Sequence, residues 1–239
     1  REVKVRMTVM ALVDLLRGLN ALHNQGWVHR DIKDDNIWEV TGDKDCVATG
    51  ACSFVLGDLG MARRLDQECK AADQSFPCHD SFVFFNRAMT EPQPVQAPEV
   101  SNEMYWAGSS DAFHLAVTLQ LIFLGRKQND LSGSSIVKTR KLRAIFEDRA
   151  VFDNVPPEVQ EAHTRLKQLL LDMTEMEFAL RPSVSNALAR AAQIYHDLYK
   201  KPKSRREQTT IPPCLLECAK CAKGSTCEAT ASEGLVKCV

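Results

Sequence analysis

Between Asp111 and Leu124 the chain carries Phe113, Leu115, Val117, Leu119, Leu121, Ile122, Phe123 and Leu124. On a helix these side chains point in every direction around the axis. A helix without a polar face belongs inside a core, enclosed by other elements. Helical patterns surround it in sequence. Leu12, Leu15, Leu16, Leu19 and Leu22 form one apolar stripe over residues 6–24, which Gly26 ends. Residues 134–149 form a basic, moderately amphipathic helix. Residues 157–173 open on Pro157 and carry Val159, Leu166, Leu169, Leu170 and Met173 on one side. A last helix over 183–199 carries Val184, Leu188, Ala191, Ile194 or Tyr195, and Leu198. Two short strands are expected at 36–40 and 53–57, joined as a hairpin through the polar stretch Thr41 to Ala51. Residues 61–95 have little periodicity and read as a long loop. The expected fold is mainly α with small β-hairpins, and it ends near Tyr199.

Chemistry-bearing residues concentrate in His29-Arg30-Asp31-Ile32-Lys33-Asp34-Asp35-Asn36. A carboxylate such as Asp31 suits accepting the proton of an attacking hydroxyl. An amide oxygen a few residues on, at Asn36, suits a magnesium ion held on phosphates. Lys33 between them can neutralise charge on a transferred phosphoryl group. Further elements follow in order: Asp58-Leu59-Gly60, Ala97-Pro98-Glu99, Asp111-Ala112-Phe113-His114-Leu115-Ala116 and Arg181-Pro182-Ser183.

In this order the elements resemble the C-terminal lobe of eukaryotic protein kinases over roughly residues 5–199. The octet matches H-R-D-x-K-x-x-N, and Asp58 stands where the family has D-F-G. The resemblance implies a transfer of the ATP γ-phosphate to protein Ser or Thr hydroxyls. It implies Asp31 as base, Lys33 as charge stabiliser, Asn36 and Asp58 as magnesium ligands, and ATP and Mg2+ as cofactors. Lys33 points to the serine/threonine class. Asp111 would brace the catalytic loop from below, and Arg181 would form a buried ion pair with Glu99. Arg30 implies control by phosphorylation downstream, with Ser75, Ser81 and Thr90 as candidate acceptors. His29 is expected to be a packed structural histidine, and His23 to cap or follow the first helix. His79, His114, His163 and His196 are expected to be ordinary surface or core residues. Aminoglycoside- and choline-kinase-like enzymes share a related loop but usually lack this arginine–lysine combination and the A-P-E element.

Some positions depart from the family. Leu59 replaces phenylalanine and Ala116 replaces glycine, both mild changes. Trp38 stands where a smaller side chain usually lies beneath the adenine. Asp58 to Glu99 spans 42 residues, and Pro92 occupies the place of the usual threonine, with Thr90 two positions earlier. Only Gly18, Gly26 and Lys4 precede His29 as glycine or lysine, so neither a glycine-rich loop nor a V-A-I-K lysine is found there. The expectation is a chain without its N-terminal lobe, inactive alone. It begins at Arg1 with no signal-peptide pattern, as a fragment would. The alternative is a kinase-like interaction module, a pseudokinase, that catalyses nothing.

The formal net charge of −1 supplies no electrostatic reason to expect nucleic acid or membrane as a partner, and no apolar run approaches membrane-spanning length. Protein substrate and ATP are the expected partners, and the oligomeric state is open. Four cysteines, Cys46, Cys52, Cys69 and Cys78, are scattered through the body, which favours a reducing, intracellular compartment, cytoplasmic or nuclear. The basic stretch within 200–213 is a charged linker. Residues 214–239 form a Cys-rich tail in which Cys214, Cys218, Cys221, Cys227 and Cys238 are spaced C-x3-C-x2-C-x5-C-x10-C. That spacing leaves a zinc knuckle, a small disulfide cluster and free thiols open.

Overall fold

The computed structural model describes residues 2–40, 45–65, 95–102, 105–127, 130–148 and 155–199, and the backbone strands Val83–Phe84, Cys227–Ala229 and Val236–Cys238. The chain divides into two compact units, Arg1–Lys200 and Lys201–Val239. Ser75, Ser81, Thr90, Pro92, His79, Cys69 and Cys78 lie outside the described residues, as do Cys214, Cys218 and Cys221.

The first unit is a helical body. Helix α1 (Glu2–Asn24) buries Val5, Val9, Leu12, Leu15, Leu16 and Leu19. It stops where Gly26 takes φ 76°, a left-handed conformation that a Cβ disfavours. Helix α4 (Gly108–Leu124) is buried continuously from Ser110 to Leu121. Its all-round apolarity has a spatial cause. Ala112, Leu115, Ala116, Leu119 and Phe123 join one apolar cluster with α1, while Phe113, Val117 and Leu121 join a second with Val95, Ala97 and Trp106. Gly125, at φ 66°, ends the helix.

Helix α6 (Pro157–Met173) and helix α7 (Val184–Tyr199) close the first cluster. The stripe Val159, Leu166, Leu169, Leu170 and Met173 is buried as the periodicity predicts. Helix α5 (Ser135–Glu147) buries Thr139, Leu142 and Phe146; Arg140 and Lys141 are exposed, while Arg143 turns inward and donates to Leu171 O at 2.6 Å. Among the described residues no helix is long and apolar enough to cross a membrane.

Short strands place the loops. Strand β1 (Trp27–Val28) pairs with β4 (Arg63–Arg64), β2 (Ile37–Glu39) pairs antiparallel with β3 (Phe54–Leu56), Ile37 opposite Leu56, and β5 (Val83–Phe84) pairs with β6 (Tyr105–Trp106), which follows the short helix α3 (Pro98–Asn102). The expected hairpin is present, but its connection is not a plain loop. It contains a one-turn helix, α2 (Cys46–Thr49), capped by Gly50 at φ 77°. This fold-back brings Cys46 and Cys52 to a Cα separation of 4.6 Å, where they form a disulfide. Two of the four body cysteines are therefore not scattered thiols. Sequence spacing missed the pair because only the helical turn makes positions six apart into neighbours. In the second unit β7 (Cys227–Ala229) pairs with β8 (Val236–Cys238), with Cys227 opposite Cys238.

Candidate active site

Asp111, in the first turn of α4, is fully buried and organises the loop before it. Its Oδ2 accepts from the His29 amide at 2.8 Å, and its Oδ1 from the Arg30 amide at 3.0 Å. Arg30 sits at φ 74°, rare for a residue with a side chain, and these successive bonds hold it there. Trp106 Nε1 donates to Oδ1 at 2.9 Å, and His23 Nε2 contacts Oδ2 at 2.8 Å. Burial pushes the Asp111 carboxyl up, but the His23 contact and the two loop amides outweigh it, and the pKa is held below its ordinary value. His23 is thus a partner of Asp111 across the fold and not only a helix end. Neither His23 nor Trp106 carries a motif signal, since each lies remote from the octet or outside its spacing.

His29 is buried and uses both ring nitrogens. The Asp31 amide donates to Nδ1 at 3.3 Å, which leaves Nε2–H to donate to Gly57 O at 3.1 Å. This is the packed structural histidine expected from the sequence. It ties the octet to the residue just before Asp58.

Asp31, Lys33 and Asn36 come together. Lys33 Nζ lies 2.8 Å from Asp31 Oδ2. Asn36 Nδ2 donates to the same Oδ2 at 3.0 Å and to Asp31 O at 2.7 Å. The backbone turns through a single 3-10 turn, Asp34–Asn36, before β2, which is why the amide folds back on Asp31. Asp58 approaches from the paired strand. Gly57 N donates to Asn36 O at 2.8 Å, and Asp58 follows it, exposed and at φ 58°. Its Oδ1 accepts from Gly60 N at 3.1 Å, so the carboxylate caps the turn Leu59–Met61. The hairpin therefore sets Asn36 and Asp58 at neighbouring ends of two paired strands.

Trp38 is half-exposed, and its Nε1 donates to Asp35 O at 3.1 Å. Its ring covers Gly57 so closely that a Cβ there would stand 2.5 Å from it. Next to this hairpin a mainly apolar cavity of about 740 Å3 is lined by Leu19, Leu22, His29, Phe54, Leu56 and Leu59, among others.

Farther from the octet, Glu99 and Arg181 form the ion pair expected from the sequence. Arg181 donates in a fork, Nη1 to Oε1 at 2.6 Å and Nη2 to Oε2 at 2.9 Å, with both side chains almost wholly buried. Ser110 Oγ adds a bond to Glu99 Oε1 at 2.8 Å, and the guanidinium lies 4.7 Å from the centre of the Phe113 ring. Burial raises the Glu99 carboxyl, and Arg181 more than reverses it, so its pKa falls below the ordinary value.

Next to this pair, His114 stacks on Trp106 at 4.6 Å, and its Nε2 accepts from the Ala97 amide at 3.4 Å. Burial pushes its pKa down to about 4. Asp111 and Glu99 act against that shift, and Arg181 adds to it. An unfolded chain therefore binds this proton near pH 6.5 while the folded one excludes it. As pH falls from about 6.5 to about 4, the His114 contribution to stability is expected to drop by about 3 kcal/mol. Urea titrations across that range check this, and His114→Gln should flatten the profile.

Comparison with known proteins agrees with this architecture. The protein kinase domain family matches residues 3–192. The matched span does not bear out the expectation of an absent N-terminal lobe. A serine/threonine-protein kinase, US3 of human herpesvirus 1 (strain 17), is 27% identical over 195 residues, covering 73% of this chain. The chain spans 38% of that relative's length. The ordered elements from Asp31 to Arg181, the braced loop and the match over most of the sequence converge: the chain belongs to the protein kinase domain family.

Proposed function

We propose that the chain carries the phosphoryl-transfer machinery of a serine/threonine protein kinase, moving the ATP γ-phosphate to a Ser or Thr hydroxyl of a protein substrate. The observation that carries this reading is the convergence of Lys33 and Asn36 on one oxygen of Asp31, at 2.8 and 3.0 Å. Both contacts fix the plane of the carboxylate that takes the hydroxyl proton, and geometry must precede pKa for such a base. Lys33 supplies positive charge beside the transferred group.

The donor set fits a hard cation. Asn36 gives its Nδ2 to Asp31 twice, which directs its amide oxygen to the task of ligand. Asp58 adds an exposed carboxylate beyond the end of the paired strand. Oxygen donors of this kind suit magnesium. When bound, magnesium neutralises charge on the ATP phosphates. On the same reading residues 1–199 act as a C-terminal lobe, 200–213 as a linker and 214–239 as a separate Cys-rich tail. Within residues 1–28 this reading assigns no glycine-rich loop and no ATP-gripping lysine.

A thermal-shift titration with ATP and magnesium tests the binding half of the proposal. A polypeptide extended upstream should show a rise in Tm that Asp58→Ala removes. No rise with nucleotide and magnesium would favour the second reading, a kinase-like protein-interaction module. Trp38 over Gly57, immediately before Asp58, is the observation behind that second reading, because the ring crowds the nucleotide side of the hairpin.

A further inference from the structure

The connection between β2 and β3 is closed by the Cys46–Cys52 bond, for which phosphoryl transfer has no use. The two sulfurs have different surroundings. Cys52 lines a cavity of about 240 Å3 together with Met10, Asp14, Arg17, Gly50 and Tyr195. Cys46 does not line it; its Sγ lies 3.7 Å from Glu39 Oε1 instead. We propose that Cys46–Cys52 is a reversible thiol–disulfide site, opened by an anionic low-molecular-weight thiol that enters this cavity and attacks Cys52. The inference rests on no reading of the phosphoryl-transfer site.

Cavity placement decides which sulfur is attacked, because exchange requires a thiolate to reach a disulfide sulfur. Arg17 is the cationic group on the cavity wall, with its side chain 53% exposed and Asp14 Oδ1 3.1 Å from Nη1. A guanidinium in that place attracts the carboxylates of such a thiol. As the thiolate bonds to Cys52 Sγ, the bond between the protein sulfurs breaks, and the electron pair leaves on Cys46 Sγ. Cys46 then takes a proton from water. A disulfide sulfur has no hydrogen to donate, so the Glu39 carboxylate at 3.7 Å is an acceptor that only the opened thiol can use. A second thiol attacks the mixed disulfide on the small-molecule sulfur and releases Cys52. The sum is one protein disulfide and two small thiols giving two cysteine thiols and one small disulfide.

Reversibility also has a structural basis. Tyr195 Oη donates to Gly50 O at 2.8 Å, and Tyr199 Oη donates to Val47 O at 2.9 Å. These bonds pin the connection to α7 within α2 and at its C-cap, and they do not depend on the bond between the sulfurs. The opened cysteines therefore stay within reach of each other.

Reduced and oxidised glutathione is the probe, with acid quenching and peptide mass spectrometry of the 239-residue chain. In Cys46→Ser a mixed disulfide should accumulate on Cys52, while Cys52→Ser should leave Cys46 unmodified. In the otherwise wild-type chain, Arg17→Gln should slow opening by glutathione about tenfold at low salt. Opening by 2-mercaptoethanol, whose thiolate carries no carboxylate, should slow much less. Modification of Cys46 in folded Cys52→Ser would overturn the proposal. So would equal slowing of both thiols by Arg17→Gln, or a bond that glutathione never opens in the folded chain. The Arg17 comparison needs neither serine variant, so it decides the matter even if one of those fails to fold.

Discussion

Arg181→Ala is expected to destabilise the folded chain by about 3–5 kcal/mol, because it strands the Glu99 carboxylate in the interior. Glu99 is 3% exposed, and after Ala substitution Ser110 Oγ is its one remaining side-chain donor among the described residues. Arg181 also donates to Glu175 O at 2.7 Å, so the segment before it loses an anchor as well. A loss of that size is a large part of the about 5–15 kcal/mol that separates folded from unfolded domains. Urea denaturation at neutral pH reads it directly, and a cost under about 1 kcal/mol would show that the pair is not isolated from water. Replacing both partners, Glu99→Leu with Arg181→Met, should recover much of the loss, since no charge is left buried. The pair also predicts an acid dependence. The Glu99 pKa is lowered on folding, so its contribution is present above the ordinary carboxylate value. It is lost as pH falls through the lower folded value. Arg181→Ala should remove that part of the acid sensitivity.

Asp31→Asn is expected to lower the phosphoryl-transfer rate of an active, upstream-extended polypeptide by about 10²–10⁴-fold. The substitution keeps the size of the side chain and an oxygen for the Asn36 bond. It removes the proposed proton acceptor and the charge that draws Lys33 Nζ to 2.8 Å. Binding of ATP with magnesium should change little, because the ligands assigned to it are Asn36 and Asp58. A rate measurement alongside a nucleotide-binding isotherm separates the two effects. Activity that survives Asp31→Asn would refute the role given to Asp31. Equal losses of binding and rate would point to collapse of the loop instead.

The helical plan was legible because burial leaves a periodic imprint on sequence. The stripe on α6 and the all-round apolarity of α4 are direct records of which faces meet the core. The site was legible for a different reason. Asp31, Lys33 and Asn36 lie within six residues, and one 3-10 turn suffices to assemble them. Asp58, Glu99, Asp111 and Arg181 were legible as family elements, and the Glu99–Arg181 pairing across 82 positions is borne out by the fold. Other contacts left no such mark. His23 reaches Asp111 across 88 positions, and Trp106 and Ser110 complete buried networks with ordinary-looking residues. No local period encodes a contact made when α1 and α4 pack.

Short-range spacing alone was enough to show that α4 is interior, where most of the helices lie, and which carboxylate, lysine and amide share a loop. Packing in three dimensions was needed for Asp111 to hold Arg30 in a left-handed conformation, for Trp38 to cover Gly57, and for Cys46 to meet Cys52 beside a cavity. Those outcomes depend on the directions in which packed elements present their side chains, and direction arises when α1, α4, α7 and the β2–β3 hairpin close on one another.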